Sequence, residues 1–257
     1  RVMNSVRDYP ITIAKTANAV GKTMVAARIA VHFYKSHIDA QVYTTAAPPE
    51  SNLRTILWGE IGSVVEKNPH VFSEDAVKLN GMRIARSAKS FIVGVNIPST
   101  GTLAQREAKF SGKHAPYLLF ILDEGDAIPT EIYRGIESCM SGGHARLLIM
   151  FNPRNESGYV YQLEQQGLAN IVNLSAFSHP NVVSGKDIIP GAVTQEVTVR
   201  RTNNWTRPLY QGEKHDSSCF DVPKELVGKQ AMLGNGQLSP PLPAGKRKIV
   251  EAPYAYM

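Results

Sequence analysis

Gly21, Lys22 and Thr23 close a run of small residues, Thr16-Ala17-Asn18-Ala19-Val20, and much later in the chain Asp123 and Glu124 follow five apolar residues, Leu118-Leu119-Phe120-Ile121-Leu122. The first group suits a chain of phosphates. A loop of small residues turns its backbone N–H groups inward, and the N-terminus of the helix that follows adds roughly half a positive charge. The ammonium of Lys22 neutralises phosphate oxygens, and the hydroxyl of Thr23 is a ligand for magnesium. The second group suits the other half of a phosphoryl transfer, with Asp123 holding the metal through water and Glu124 orienting and deprotonating the attacking water. The largest contribution there is electrostatic stabilisation of the phosphoryl group in flight. Either group alone has an ordinary structural meaning, as a βα turn with a solvated lysine or as acidic residues capping a helix. Together they read as ATP hydrolysis with Mg2+, the nucleotide held by Thr16, Ala17, Asn18, Ala19, Val20, Gly21, Lys22 and Thr23 and the metal by Thr23 and Asp123.

Two features of the loop depart from the usual glycine-rich pattern. Thr16 stands where that pattern opens with glycine, and Ala17 and Ala19 fill neighbouring positions. An alanine is expected to make the same backbone approach only at negative φ, so the loop must curl without two of its glycines.

The elements that must carry these residues alternate between strand and helix. Residues 11–14 form a short apolar strand before the loop, and Val25, Ala26, Ile29, Ala30 and Phe33 recur with helical period after it. A second strand over 41–47 is stopped by Pro48-Pro49, and Leu53, Ile56, Leu57, Ile61 and Val64 share one face of a helix over 51–65. Residues 82–85 and 91–97 suggest a hairpin. The polar, basic stretch 98–116 has the composition of a mobile functional loop. The run 118–122 has no polar alternation, which places it in the middle of a parallel sheet with both faces covered, and its carboxylates fall at the C-terminal edge where open α/β sheets bind ligands. A helix over 129–140 follows, then a second buried strand over 147–151 ending in Asn152-Pro153. A helix over 159–165, a strand over 171–174, a polar turn at Ser178-His179-Pro180-Asn181 and an outer helix over 192–203 complete the regular pattern. The predicted class is an α/β P-loop NTPase of the additional-strand, RecA-like type. Its mostly parallel central sheet is flanked by helices, the strand after Asp123-Glu124 lying between that strand and the loop strand. Asn152 would then be poised to sense the γ-phosphate or the lytic water.

Beyond residue 207 the chain becomes rich in turn formers and loses periodicity. The natural partition is a P-loop ATPase domain over 1–207 and an irregular linker over 208–257, without strands to carry Glu213, Asp216, Asp221, Glu225 and Glu251. At 257 residues and 43% hydrophobic the chain can bury a full core, and no apolar run is long enough for a membrane span. Cys139 and Cys219 make neither a disulfide framework nor a metal knuckle, which fits a reducing compartment. The net charge of +6 suits a polyanionic partner. Basic clusters that could contact phosphates without reading bases are Arg83, Arg86 and Lys89; Arg106, Lys109 and Lys113; Arg200, Arg201 and Arg207; and Lys246-Arg247-Lys248.

The segments KTANAVGKT (15–23), TTAAP (44–48), KFSGKHAPYLLFILDEGDAIP (109–129), SGGHARLLIMFNPRNESG (141–158) and SHPNV (178–182), in that order, resemble the large terminase subunit of tailed bacteriophages. The resemblance implies an ATP-driven motor that threads double-stranded DNA into a procapsid through the portal protein. Such a motor acts in the host cytoplasm with the terminase small subunit, as a homo-oligomeric ring when assembled and a monomer alone, without a membrane. It puts Lys22 and Thr23 on Walker A, Asp123 and Glu124 on Walker B, and Phe151-Asn152-Pro153 on the coupling motif. It also implies an arginine finger, for which Arg106 is the first choice over Arg83, Arg86 and Arg154. Members of the family usually continue into a nuclease domain, and the chain is expected to end near the linker leading to it. Two other readings are a helicase-type translocase and a nucleotide-gated assembly module with negligible turnover.

Overall fold

The computed structural model describes residues 1–153, 157–216 and 218–250. The chain divides into two compact units. One is built on Arg1–Ala14, Lys22–Phe151 and the segment ending at Val172; the other on Lys15–Gly21, Asn152 with Pro153, and the chain from Asn173 onward. In order, the elements are α1 (Val2–Asp8), β1 (Ile11–Thr16), α2 (Lys22–Ser36), β2 (Ala40–Ala46), a π-helical turn leading into α3 (Trp58–Lys67), β3 (Ala76–Lys78), β4 (Arg83–Ala85), β5 (Phe91–Gly94), α4 (Leu103–Phe110), β6 (Tyr117–Asp123), α5 (Thr130–Glu137), β7 (His144–Phe151), α6 (Tyr159–Gln165), β8 (Asn170–Leu174), α7 (Pro180–Ser184), α8 (Gln195–Trp205), β9 (Thr206–Pro208), β10 (Cys219–Asp221) and β11 (Lys246–Ile249).

Eight strands form one sheet in the order β3-β4-β5-β2-β6-β7-β1-β8. The pairs β5-β2, β2-β6 and β6-β7 are parallel, while β3 and β4 are antiparallel additions at one edge. β7, which follows β6 in the chain, lies between β6 and β1. This is the additional-strand order expected from the sequence. The register sets Asp123 beside Ala46 of β2 and Met150 of β7, at the C-terminal edge. From Leu118 to Leu122 no residue is more than 1% exposed, which explains the absence of polar alternation: helices cover both faces of the strand. The main core joins Ile13, Phe120, Leu122, Tyr133, Ile149 and Phe151.

The second unit has its own core of Ala17, Ala176, Val182, Val193, Val199, Leu226 and Leu242. It also holds an antiparallel sheet in the order β10-β11-β9. The tail expected from composition to lack strands therefore carries two, β10 and β11, and they form a sheet with β9 at its start. Their brevity and their turn-rich connections hid them, since a strand of three or four residues carries almost no period.

Two further segments differ from expectation. The stretch read as a mobile loop contains α4, opened by a reciprocal cap in which Thr102 Oγ1 accepts from Gln105 N and Gln105 Oε1 accepts from Thr102 N. Only Phe110 of α4 is buried, so its apolar stripe is too thin to announce a helix. At the other end, residues 2–8 form α1, a helix not among the elements read from the sequence. Two carbonyls of its last turn, of Val6 and Arg7, accept from the guanidinium of Arg146, a partner far away in sequence. Among the described residues no helix is long and apolar enough to cross a membrane.

Candidate active site

Lys22 and Thr23 open α2, and Asp123 ends β6. Lys22 Nζ donates to Asp123 Oδ1 at 3.0 Å and to Glu124 Oε1 at 2.5 Å, and Thr23 Oγ1 donates to Asp123 Oδ2 at 3.3 Å. Asp123 is 4% exposed overall. Burial pushes the Lys22 ammonium down, and the charges and hydrogen bonds of Asp123 and Glu124 more than offset it, holding its pKa above 10.5. One lysine thus serves two carboxylates, leaving the cluster one negative charge in excess. Glu124 Oε2 is buried and has no hydrogen-bond partner among the described residues. A hydroxyl and a carboxylate side by side are the hard oxygen donors that suit Mg2+, so Thr23 and Asp123 fit the role assigned to them.

The turn that aims Glu124 rests on residues the sequence did not single out. Glu124 has φ of +51°, a left-handed conformation in which a non-glycine residue is held only by its surroundings. Tyr133 of α5, fully buried, donates from its hydroxyl to Gly125 O at 2.6 Å. A Cβ at Gly125 would lie 2.3 Å from Ile149 Cγ2, so glycine is needed for the turn to approach β7. A glycine directly after the carboxylate pair was the available signal.

The loop residues Thr16, Ala17, Asn18, Ala19, Val20 and Gly21 belong to the second unit. Ala17 is buried in its core, and Val20 packs against the same cluster. The amide of Ala17 donates to Leu174 O at 2.9 Å, and Ala19 O accepts from Val193 N at 2.8 Å. The expectation that the alanines sit at negative φ is corrected at Ala19, whose φ is +59°; Gly21 is at +84°. The loop therefore keeps a left-handed residue at a position without glycine, with hydrogen bonds at Ala17 N and Ala19 O beside it. Asn152, the residue after β7, is buried and donates from Nδ2 to Thr16 O at 2.6 Å and Thr16 Oγ1 at 3.2 Å. Its side chain braces the end of β1.

Arg106 lies on α4, with Nη1 3.1 Å from Glu131 Oε1 of α5 and a buried Nε without a hydrogen-bond partner among the described residues. Its ion pair is with Glu131, apart from the Lys22 cluster. Of its rivals, Arg83 stacks on Phe91, and Arg86 lies 3.9 Å from the buried carboxylate of Asp75 and over the Tyr34 ring. Arg154 lies outside the described residues. In the tail, Arg207 is paired with Glu213 and Lys248 with Asp216, while Arg247 is buried and donates to Thr206 Oγ1 and O.

No protein-family model and no curated protein matches the sequence. Solved structures do. The large terminase of a thermophilic bacteriophage matches with a TM-score of 0.55 at 15% identity over 77% of this chain and 46% of that one. The HK97 bacteriophage large terminase gives 0.54 at 13% identity, over 78% of this chain and 44% of that one. The fold is that of a large-terminase ATPase domain. The Thermus phage P74-26 large terminase ATPase domain gives 0.50 at 18% identity, over 69% of this chain and 81% of that one. This chain thus spans less than half of the first two terminases and most of the isolated Thermus phage domain. The first of the three has also been solved in complex with ATP-gamma-S, and that structure matches with a TM-score of 0.53.

Proposed function

We propose that this chain is the ATPase motor region of a phage terminase, hydrolysing ATP to drive double-stranded DNA into a procapsid. The observation that carries the reading is the convergence of Lys22 Nζ and Thr23 Oγ1 on Asp123, with Glu124 adjacent on the same ammonium. Lys22 holds phosphate oxygens, Glu124 orients and deprotonates water, and Asn152 ties the Thr16 end of the loop to the strand that follows β6. Thr23 and Asp123 would hold Mg2+, which supplies neutralising charge on the phosphates when bound. For Glu124 to act as base the lysine must turn from it toward the nucleotide, and the unpartnered Oε2 leaves that carboxylate loosely satisfied. Arg106 would serve as finger in a ring of subunits after leaving Glu131, and the basic loops would grip DNA phosphates. Portal protein, terminase small subunit and host cytoplasm belong to the same proposal. Its support is the likeness in fold together with the site geometry, including the likeness to a thermophilic-phage terminase solved with ATP-gamma-S.

The test is ATP hydrolysis by the chain and by Glu124→Ala, each with and without portal, procapsid and DNA. Binding with slow turnover alone, faster turnover on assembly, and loss of both rates in the variant are expected. Failure to bind ATP would overturn the reading. Strand separation by the wild type would favour a helicase-type translocase, and binding without turnover under every assembled condition a nucleotide-gated module.

A further inference from the structure

The motif Ser178-His179-Pro180-Asn181 has no part in the chemistry above, yet it leads back to the phosphate loop within the second unit. His179 caps α7, its Nδ1 accepting from Asn181 N at 3.2 Å. Asn181 is 1% exposed, and its amide faces the segment after the helix. Nδ2 donates to Ile189 O at 2.9 Å and Asp187 Oδ1 at 3.3 Å, and Oδ1 accepts from Ile189 N at 2.8 Å. A side-chain amide that both donates to and accepts from one residue's backbone fixes that loop in a single conformation. The same loop ends at Val193, 4% exposed, whose N–H donates to Ala19 O. Ala19 is the residue held at φ +59°. Val182, beside Asn181, and Val193 share a core with Ala17 and Val20.

We infer that Asn181, capped by His179, is a positioning residue for nucleotide binding: it folds residues 187–193 so that Val193 holds Ala19 in the left-handed conformation a glycine would otherwise supply. This rests on the reading of residues 16–23 as a nucleotide loop. It also accounts for the alanines, since Ala17 contributes a methyl group to the supporting core and Ala19 is held from outside.

The test combines amide hydrogen exchange with calorimetric titration of ADP in the presence of Mg2+. In Asn181→Ala, exchange at residues 17–21 should quicken and ADP affinity should fall about tenfold, the size of one lost hydrogen bond. Ala19→Gly in that background should return affinity to within about twofold of Ala19→Gly alone, because glycine adopts positive φ unaided, while exchange at 187–191 stays fast. A merely structural role for Asn181 would not be rescued at residue 19. If Asn181→Ala does not fold, Val193→Pro removes the single N–H that meets Ala19 and should weaken ADP to the same extent. Unchanged loop exchange and ADP affinity in the variant, or no rescue by glycine, overturns the inference. A wild-type chain that does not bind ADP removes the nucleotide reading instead, and quickened exchange at 17–21 in Asn181→Ala would still support the positioning.

Discussion

Two sets of charged side chains in this molecule are built on opposite terms. At the C-terminal edge of the large sheet, one lysine answers two carboxylates and one carboxylate oxygen has no partner among the described residues. In the small antiparallel sheet three of the basic residues have acceptors of their own: Arg207 has Glu213, Lys248 has Asp216, and Arg247 has Thr206. The side-chain and backbone hydrogen bonds of Arg207 and Tyr210 hold Glu213 down at about 2. A satisfied pair gains nothing from a further ligand, whereas an undersatisfied cluster of net negative charge at a sheet edge attracts a cation and what the cation carries. The presence of charge is thus less informative than the balance of donors and acceptors around it.

The contrast is broken most strongly at Lys22. Lys22→Ala should lower ATP turnover about 10²–10³-fold, as for loss of one charge-stabilising donor, and should destabilise the fold by about 2–3 kcal/mol because Asp123 and Glu124 are left facing each other. Turnover and urea midpoint read the two effects. The sign with pH is fixed: a lysine raised above 10.5 stabilises the fold throughout the neutral range, and that stability disappears only as pH rises through the raised value.

Gly125→Ala attacks the turn while leaving every charge in place. The overlap with Ile149 should cost about 1–3 kcal/mol in thermal unfolding and displace Glu124, so turnover falls more than ADP affinity. Smaller effects are expected from the satisfied set. Arg247→Met should cost about 1 kcal/mol through two lost hydrogen bonds to Thr206, with ATP turnover unchanged, and Lys248→Ala, at a solvent-screened ion pair, should barely move the unfolding temperature. Finally, burial holds His179 below 6.5, so the unfolded chain takes up a proton first and stability falls as pH drops through about 6.5. Unfolding temperatures between pH 7.5 and 5 should decline less steeply in His179→Asn, which keeps an N-cap that does not titrate.

Much of the large unit was legible beforehand. The unbroken apolar run 118–122 demanded a doubly covered strand, the helical recurrence from Val25 to Phe33 demanded a helix against a sheet, and carboxylates after the strand had to fall at its end. α4 was not legible, because one buried phenylalanine makes no stripe and its capping box lay among other polar residues. The tail strands failed for the same reason of length. Arg106 carried a charge but no indication that Glu131 would meet it.

Residue type and local period determined which side chains reach the carboxyl edge of the sheet, since a strand's direction and the helix that follows it are set within a few residues. What the tertiary structure alone decided is how those side chains are held. The left-handed Glu124 depends on Ile149 and Tyr133, and the left-handed Ala19 on Val193, contacts between segments far apart in the chain that no local pattern encodes. Positive φ at a non-glycine residue is a local cost that only distant packing can offset, so its location becomes visible only when the chain is folded.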